Sequence, residues 1–289
     1  MSFTTYLQSK NLTRNTIRSY TRMNEVFLEW MEEEAISIKE ARYADLLIYV
    51  RHLTSSGQSK RYLNQQLTVI RHYYNYLIKI RKVKDNIAAN LFIKGVPRRL
   101  PHDIMSEEDL DEVYKKFPAK SMTNKRNKII LGLIIHQGLN SDELNRLEPL
   151  HILLKEGKIN VPGSRRSNSR LLDLKGHQIL DIQEYLGKVR NLIMAMTEKE
   201  SHKMFISLGT GSHFNNMMTK MMNTIREYAP KVKSVNQLRA SVITHWLSKN
   251  NMREVQYMAG HKYVSSTEKF QQTNLEDLQK DVNTYHPLK

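Results

Sequence analysis

Two residues in the last quarter of the chain have the side chains needed to bind a phosphate. Arg239 stands near the start of a segment with helical periodicity, and His261 follows Gly260 after a second such segment. A guanidinium can contact two oxygens of a phosphate at once, and an imidazole can donate a hydrogen bond to a third. The pair predicts an anion-binding site, with a structural role for His261 in capping a turn as the alternative interpretation.

Other kinds of reactive site are not indicated by the sequence. The 289 residues include no cysteine, which excludes disulfides and thiolate metal ligands. His245 and His261 lack the spacing of a metal site, and there is no P-loop, glycine-rich dinucleotide turn or Gly-x-Ser-x-Gly motif. We therefore expect neither a metal nor a cofactor.

The segment from residue 235 to residue 270 resembles the C-terminal block of the tyrosine recombinase (phage integrase) family. Members of that family open a helix with His-x-x-Arg and carry a Gly-His farther along the chain. Asn236, Arg239 and His261 stand at these positions here. The family's nucleophilic tyrosine lies nine residues after the second histidine, and in this chain that residue is Phe270. The resemblance extends over nearly the whole chain.

Two further family positions also differ. Residues 138–144 match the family's Gly-Leu-Arg-x-x-Glu-Leu, with Asn140 in place of the arginine. The family's catalytic lysine lies on a β-hairpin that residues 159–174 resemble with one extra residue. The lysine position is therefore either Ser164 or Arg165.

These replacements remove the groups that would cleave a DNA strand. A phenyl ring has no oxygen with which to attack phosphorus. Loss of one transition-state donor costs ~10²- to 10³-fold in rate, and loss of the general acid or base costs roughly 10²- to 10⁴-fold. The resemblance therefore implies a DNA-binding protein of recombination or integration that has no cleavage activity of its own.

Two alternative functions depend on other parts of the sequence. A relocated tyrosine, Tyr285 or Tyr263, would preserve site-specific recombinase activity, although neither has the family spacing from His261. The C-terminal tail, residues 275–289, carries a short apolar stripe, and the resemblance implies that this segment docks on an adjacent protomer. The chain would then be a scaffold, either as a homo-oligomer or bound to an active recombinase.

The charge of the chain favours a polyanionic partner. Lysine and arginine outnumber aspartate and glutamate by 45 to 29, a formal charge of +16, and the excess is densest in the first hundred residues. We expect the partner to be double-stranded DNA. No apolar run is long enough to span a membrane and the N-terminus does not resemble a secretion signal, so the expected location is cytoplasmic.

The elements that must position these residues are mainly helices. The expected fold class is mainly α with a small β-hairpin or sheet. Residues 1–95 are predicted to form a helical DNA-binding domain, and residues 96–104 a linker broken by two prolines. The resemblance implies that residues 105–289 form a mixed α/β domain of the tyrosine-recombinase catalytic type.

A basic helical face in the first domain is predicted to contact DNA. Residues 62–78 have apolar side chains at helical spacing, which indicates one buried stripe. The remaining face carries Lys60, Arg61 and Arg71. Basic side chains on one helical face suit DNA phosphates, and a solvated face is the alternative interpretation.

A basic turn in the second domain is also predicted to contact DNA. Two short strands are expected at residues 158–161 and 170–174, and Arg165, Arg166 and Arg170 lie in or beside the turn between them. Three guanidiniums at a tight turn have little structural use there. We expect them to contact the DNA backbone, together with Arg239 and His261.

Overall fold

The computed structural model describes residues 1–96, 103–198, 200–209 and 214–271. The chain divides into two compact units, Met1–Arg98 and Arg99–Lys289. Helices predominate, and a small three-stranded antiparallel sheet accompanies them, which confirms the expected fold class. Most of the predicted linker lies outside the described residues.

The first unit is built from four helices within residues 1–96. They are α1 (Phe3–Ser9), α2 (Arg14–Glu33), α3 (Tyr43–Ser55) and α4 (Lys60–Lys79). Ser2, Thr13 and Ser59 each accept a backbone N–H hydrogen bond at the start of α1, α2 and α4. Such caps satisfy amide groups that have no partner in the first turn, so the sequence fixes where these helices begin.

Aromatic and aliphatic side chains form the core of this unit. The ring of Tyr49 on α3 lies 5.1 Å from that of Phe27 and 4.8 Å from that of Trp30, both on α2. The apolar stripe predicted for α4 is buried against them, which confirms its helical spacing. Its members are Leu63, Leu67, Ile70, Tyr74 and Leu77.

The second unit surrounds a short sheet with helices. The helices are α5 (Glu107–Lys116), α6 (Met122–Gln137), α7 (Ser141–Arg146), α8 (Gly176–Glu184), α9 (Arg190–Thr197), α10 (Phe214–Tyr228), α11 (Val235–Lys249) and α12 (Met252–Ala259). A π-helical turn, Tyr185–Val189, joins α8 to α9. Residues 265–271 are also helical.

The sheet has the strand order β1 (Ile152–Leu153), β2 (Lys158–Val161) and β3 (Arg170–Asp173), with antiparallel neighbours. The pairing of Val161 with Arg170 brings the two ends of the β2–β3 turn together. Burial alternates along both strands, as period-two geometry requires. The two predicted strands are therefore confirmed, although β3 ends one residue earlier than expected.

The helix α6 lies in the core of the second unit and ends shortly before Asn140. Ten of its 16 residues are buried, and it stops at Gly138, whose φ of 59° places it in the left-handed region. A Cβ at this position would lie 2.8 Å from the ring of Trp246, so no larger residue fits without displacing the indole. Gly138 therefore fixes where the chain turns into α7.

Across the residues that the structure describes, every helix is too short or too polar to cross a lipid bilayer.

Candidate functional site

Two arginines from different elements converge on one buried carboxylate, that of Glu143 on α7. Arg170 at the start of β3 binds it through two contacts, Nη1 to Oε1 at 2.8 Å and Nη2 to Oε2 at 3.2 Å. Arg239 on α11 contacts Oε2 through Nη1 at 3.2 Å. Burial raises the pKa of Glu143, but hydrogen bonds and charge from Arg170, together with the charge of Arg239, hold it below its usual range. Glu143 is therefore an anion shared by two cations.

Arg239 connects three elements of the second unit. Its guanidinium donates to the backbone carbonyl of Gly138 at the end of α6, and Nη2 donates to that of Ala259 at the end of α12 at 2.7 Å. Its side chain is 11% exposed. Burial lowers the pKa of Arg239 to about 10 despite the opposing charge of Glu143, so the group remains a cation at neutral pH.

Asn140, which the sequence resemblance assigns to the position of the family's first arginine, caps α7. Its side-chain oxygen accepts hydrogen bonds from the backbone N–H groups of Asp142 at 3.0 Å and Glu143 at 2.9 Å. The backbone N–H of Asn140 donates to the Glu143 carboxylate at 3.0 Å, which completes a capping box. The side chain is thus used to begin α7, and it brings no charge to the site.

The remaining altered positions are also neutral or structural. Asn236 is exposed in the first turn of α11. The hydroxyl of Ser164 accepts from the backbone N–H groups of Arg166 at 3.0 Å and Ser167 at 3.1 Å, so it shapes the β2–β3 turn. Arg165, the other candidate for the lysine position, is exposed in that turn.

His261 is neutral and held by its neighbours. Its Nδ1 lies 2.9 Å from the Thr267 hydroxyl, and its ring stacks on Phe270 with centroids 5.8 Å apart and planes 8° apart. Burial lowers the pKa of His261 to about 3, and the charges of Arg239 and Lys269 contribute to this. An imidazole with this pKa carries no charge at neutral pH, where one of its ring nitrogens donates a hydrogen bond and the other accepts one.

Phe270 is buried in an apolar cluster. Its side chain is 5% exposed and packs with Ala240 and Ile243 of α11 and with Val255 and Ala259 of α12. The ring therefore anchors the helical residues 265–271 to the rest of the unit. The residue that the sequence resemblance assigns to the position of the family's tyrosine thus serves here in core packing.

The expectation that Arg170 contacts DNA is corrected by the structure. Its side chain is fully buried, and besides Glu143 it binds the backbone carbonyl of Met258 through Nε at 2.7 Å. A turn with three arginines gave no sign that one of them pairs with a carboxylate from α7. Arg170 attaches the β2–β3 hairpin to the rest of the second unit, and its buried guanidinium is not accessible to a phosphate.

Arg71 is likewise engaged within the first unit. Its guanidinium binds the backbone carbonyls of Ala88 at 3.2 Å and Leu91 at 3.1 Å and lies 4.3 Å from the ring centroid of Phe92. Burial lowers the pKa of Arg71. Of the other residues predicted to contact DNA, Lys60, Arg61, Arg165 and Arg166 are exposed, whereas Arg239 and His261 are partly buried.

Two features of this site were not predicted from the sequence. The β2–β3 hairpin is fastened to α12 and the turn after it, because the backbone N–H of Asn168 donates to Gly260 at 3.0 Å and the Tyr257 hydroxyl bonds both backbone groups of Leu171. Lys269 is the second feature. Its Nζ lies 4.7 Å from the ring centroid of Phe270.

The comparisons with known proteins agree with this architecture. Residues 1–80 match the profile described as "Phage integrase, N-terminal SAM-like domain", and residues 103–276 match that of the "Phage integrase family". The tyrosine recombinase XerC of Oceanobacillus iheyensis is 23% identical, with 99% of this chain and 95% of the relative covered. The tyrosine recombinase XerD of Vibrio cholerae is 26% identical, with 96% and 92% covered.

Solved structures of recombinases share the fold. The XerH site-specific recombinase bound to palindromic difH substrate has a TM-score of 0.74 at 16% identity, covering 96% of this chain and 82% of that one. A lambda integrase dimer bound to a core site has a TM-score of 0.62 at 11% identity, covering 93% and 92%. With the profile match over residues 103–276, these similarities show that the chain belongs to the phage integrase family and has the tyrosine recombinase fold.

Proposed function

We propose that this chain binds double-stranded DNA in recombination or integration and does not break strands itself. The observation that carries the proposal is the burial of Phe270 in an apolar cluster, because the sequence resemblance assigns this residue to the position of the family's nucleophile. A phenyl ring can form no covalent bond to phosphorus. Binding without cleavage is the function that remains for a chain with this fold.

The charges around the site support the same proposal. Cleavage needs fixed cations aimed at the oxygens on which negative charge develops. Asn140 is neutral and caps α7, Asn236 is neutral and exposed, and the charge of Arg239 is shared with Glu143. The groups that transfer protons and stabilise negative charge during cleavage are therefore missing at more than one of these positions.

DNA as the partner is supported by the relatives and by the surface. In the solved structures, XerH is bound to its difH substrate and a lambda integrase dimer is bound to a COC' core site. The chain has a formal charge of +16, and the exposed Lys60 and Arg61 on α4 and Arg165 and Arg166 in the β2–β3 turn can contact phosphates. Each such contact releases counterions, so binding should weaken steeply with salt.

The proposed function requires neither a metal nor a cofactor, and its proposed location is the cytoplasm.

The main alternative is an active recombinase that uses a relocated tyrosine as its nucleophile. Tyr263 is 68% exposed, two positions after His261, and Tyr285 lies outside the described residues. The tail that would join the chain to a second copy or an active recombinase, residues 275–289, is also outside them.

Trapping on a nicked suicide duplex tests the proposal. The full chain is incubated with a nicked duplex from the DNA that flanks its own gene, and with the same duplex unnicked in a gel-shift titration. We expect salt-sensitive binding and no SDS-resistant protein-DNA adduct. A family member with the complete catalytic set, on its own site, confirms that the trap works.

Two results would overturn the proposal. One is an adduct formed by the wild-type chain, and its loss in Tyr263→Phe or Tyr285→Phe would identify the relocated nucleophile. The other is the absence of any binding to duplex DNA at low salt, which would favour a scaffold that works through protein contacts alone.

A further inference from the structure

The β2–β3 turn has a compact tip, residues 164–167, that carries two of the arginines expected to contact DNA. Arg165 and Arg166 are exposed there. The backbone N–H of Ser164 donates to the carbonyl of Ser167 at 2.7 Å, and the Ser164 hydroxyl accepts from the backbone N–H groups of Arg166 and Ser167. The tip is therefore held together by its own hydrogen bonds, and its orientation depends on the contacts made where the turn joins the strands.

At the β2 end, the turn is held by Arg146 of α7. The Nη1 of Arg146 donates to the backbone carbonyls of Gly163 at 2.7 Å and Pro162 at 3.3 Å. Its Nε lies 3.4 Å from the carboxylate of Asp142, one turn earlier in the helix. Because the guanidinium is itself fixed on α7, it fixes the chain as the chain leaves β2.

At the β3 end, the turn is held by backbone carbonyls of α12 and the residue that ends it. The carbonyl of Gly260 accepts from the backbone N–H of Asn168 at 3.0 Å, and that of Met258 accepts from Nε of Arg170 at 2.7 Å. A Cβ on Gly260 would collide with the guanidinium of Arg170. The close approach of α12 to β3 therefore requires glycine at this position.

A further contact at the β3 end comes from the side chain of Tyr257 in α12. Its hydroxyl accepts from the backbone N–H of Leu171 at 3.1 Å and donates to the carbonyl of Leu171 at 3.3 Å. In the sheet order β1-β2-β3 the strand β3 is an outer strand, so the hydroxyl serves Leu171 as a neighbouring strand would. Unlike the backbone contacts, this one can be removed by deleting a single oxygen atom.

An ordered turn favours contact with a phosphate. A segment that already has its bound conformation loses less conformational entropy on binding, so more of the interaction energy appears as affinity. Two guanidiniums on one fixed tip can also meet phosphate oxygens together. Tyr257 is uncharged, and its hydroxyl is occupied by Leu171. Its effect on the binding of a polyanion would therefore act through the turn.

We propose that Tyr257 is a positioning residue for DNA binding, whose hydroxyl fixes the start of β3 and thereby the tip that presents Arg165 and Arg166 to backbone phosphates. The inference rests on the proposed DNA binding and adds to it a residue that acts through the two arginines. A change at Tyr257 should therefore alter the number of phosphate contacts without altering the charge of the chain.

A double-mutant cycle tests this inference. The full chain is titrated with a fluorescent duplex over a range of salt concentrations, as wild type, as Tyr257→Phe, as Arg165→Gln with Arg166→Gln, and with all three changes. Tyr257→Phe should weaken binding about 2- to 10-fold, the equivalent of one hydrogen bond. It should also lower the slope of log K against log salt, although it removes no charge. Where both arginines are absent, Tyr257→Phe should have no further effect.

Tyr228→Phe is the matched control. It removes a tyrosine hydroxyl that donates to a backbone carbonyl elsewhere in the second unit, that of Val113 at 2.9 Å. We expect it to keep the affinity and the salt slope of the wild type, because it leaves the turn unchanged.

Three results of the cycle would overturn the inference and leave the proposed function standing. The first is wild-type affinity and slope in Tyr257→Phe. The second is an equal loss of affinity on this substitution with and without the two arginines. The third is wild-type affinity in the variant that lacks both arginines. If the wild type binds no duplex, the proposed function itself fails.

Hydrogen exchange without DNA tests the positioning step alone. The exchange of the backbone amides of residues 164–168 is followed by mass spectrometry in the wild type, Tyr257→Phe and Tyr228→Phe. We expect faster exchange of these amides in Tyr257→Phe only, with the amides of α6 as the internal reference. Wild-type exchange in the turn of Tyr257→Phe would show that the hydroxyl does not fix the tip, and the inference would be wrong.

Discussion

A tyrosine at position 270 would bring a hydroxyl into the cluster that Phe270 forms with Ala240, Ile243 and Val255. Burying that hydroxyl without a partner would cost about 1–3 kcal/mol. It would also face a site in which Asn140 carries no charge and Arg239 already binds Glu143. Restoring the nucleophile would therefore not restore the charge stabilisation that strand cleavage needs.

We expect Phe270→Tyr alone to form no covalent adduct above the wild-type background. The measurement is the SDS-resistant product on the nicked duplex, with the gel shift confirming that the variant still binds. A combined variant that also carries Asn140→Arg and Asn236→His is the informative comparison, since it returns a cation and a proton carrier to the site. Efficient trapping by Phe270→Tyr alone would contradict our account of Asn140 and Asn236.

At the scale of the elements, Asn140 sets the start of α7 and thereby the position of Glu143. The helix has only six residues, so its first turn is most of its length. Both hydrogen bonds that the Asn140 side chain accepts come from backbone groups of that turn. Because Glu143 holds Arg170 and Arg239, the cap also supports the contacts that fasten the β2–β3 hairpin and α11 together.

Asn140→Ala should lower the free energy of unfolding by about 1 kcal/mol, within the range of about 0.5–2 kcal/mol for lost caps. Asn140→Asp should lose much less, since a carboxylate can accept the same two bonds. Asn251→Ala is the matched control, because Asn251 caps α12 with the same pair of bonds. Urea unfolding measures all three. Wild-type stability in Asn140→Ala would show that the cap does not support α7.

The contrast between α4 and the β2–β3 hairpin shows what sequence alone can predict. The stripe of α4 follows from the period of its apolar residues, and Phe270 follows from its spacing after His261. The burial of Arg170 on β3 depends on its ion pair with Glu143 on α7, and no local sequence pattern predicts this pairing. Lys269 reaches the site only because residues 265–271 dock through Phe270. Local periodicity predicts elements, whereas contacts between distant elements require the fold.

At the scale of the whole molecule, positive charge favours DNA and also opposes compact folding. The chain carries +16 before any histidine is protonated. Two half-buried imidazoles in the second unit, those of His136 and His261, resist protonation. Burial lowers the pKa of His136 to about 4, with Lys175 and His177 contributing, and the pKa of His261 is lowered to about 3. We therefore expect acid to destabilise the folded state through the protonation of these two imidazoles.

We expect the free energy of unfolding to be nearly constant above about pH 7 and to fall as the pH drops from about 6.5 toward about 4. In the unfolded chain both imidazoles have their ordinary pKa of 6.5, whereas in the folded chain they remain neutral until the pH approaches 4 for His136 and 3 for His261. Between these values the unfolded state binds more protons, so acid favours unfolding. Glu143 acts in the same direction below its ordinary pKa of 4.5, because its pKa is lowered in the folded chain.

Urea midpoints measured from about pH 7 to about pH 5 test this dependence in a range where Glu143 stays ionised. The variant His136→Gln with His261→Gln has no imidazole at either position, so its midpoint should fall less steeply with acid than that of the wild type, whatever its absolute stability. His202→Gln is the control, because this histidine is exposed, and it should retain the wild-type slope. Equal slopes in the double variant and the wild type would show that these two half-buried imidazoles do not govern the acid sensitivity of the fold.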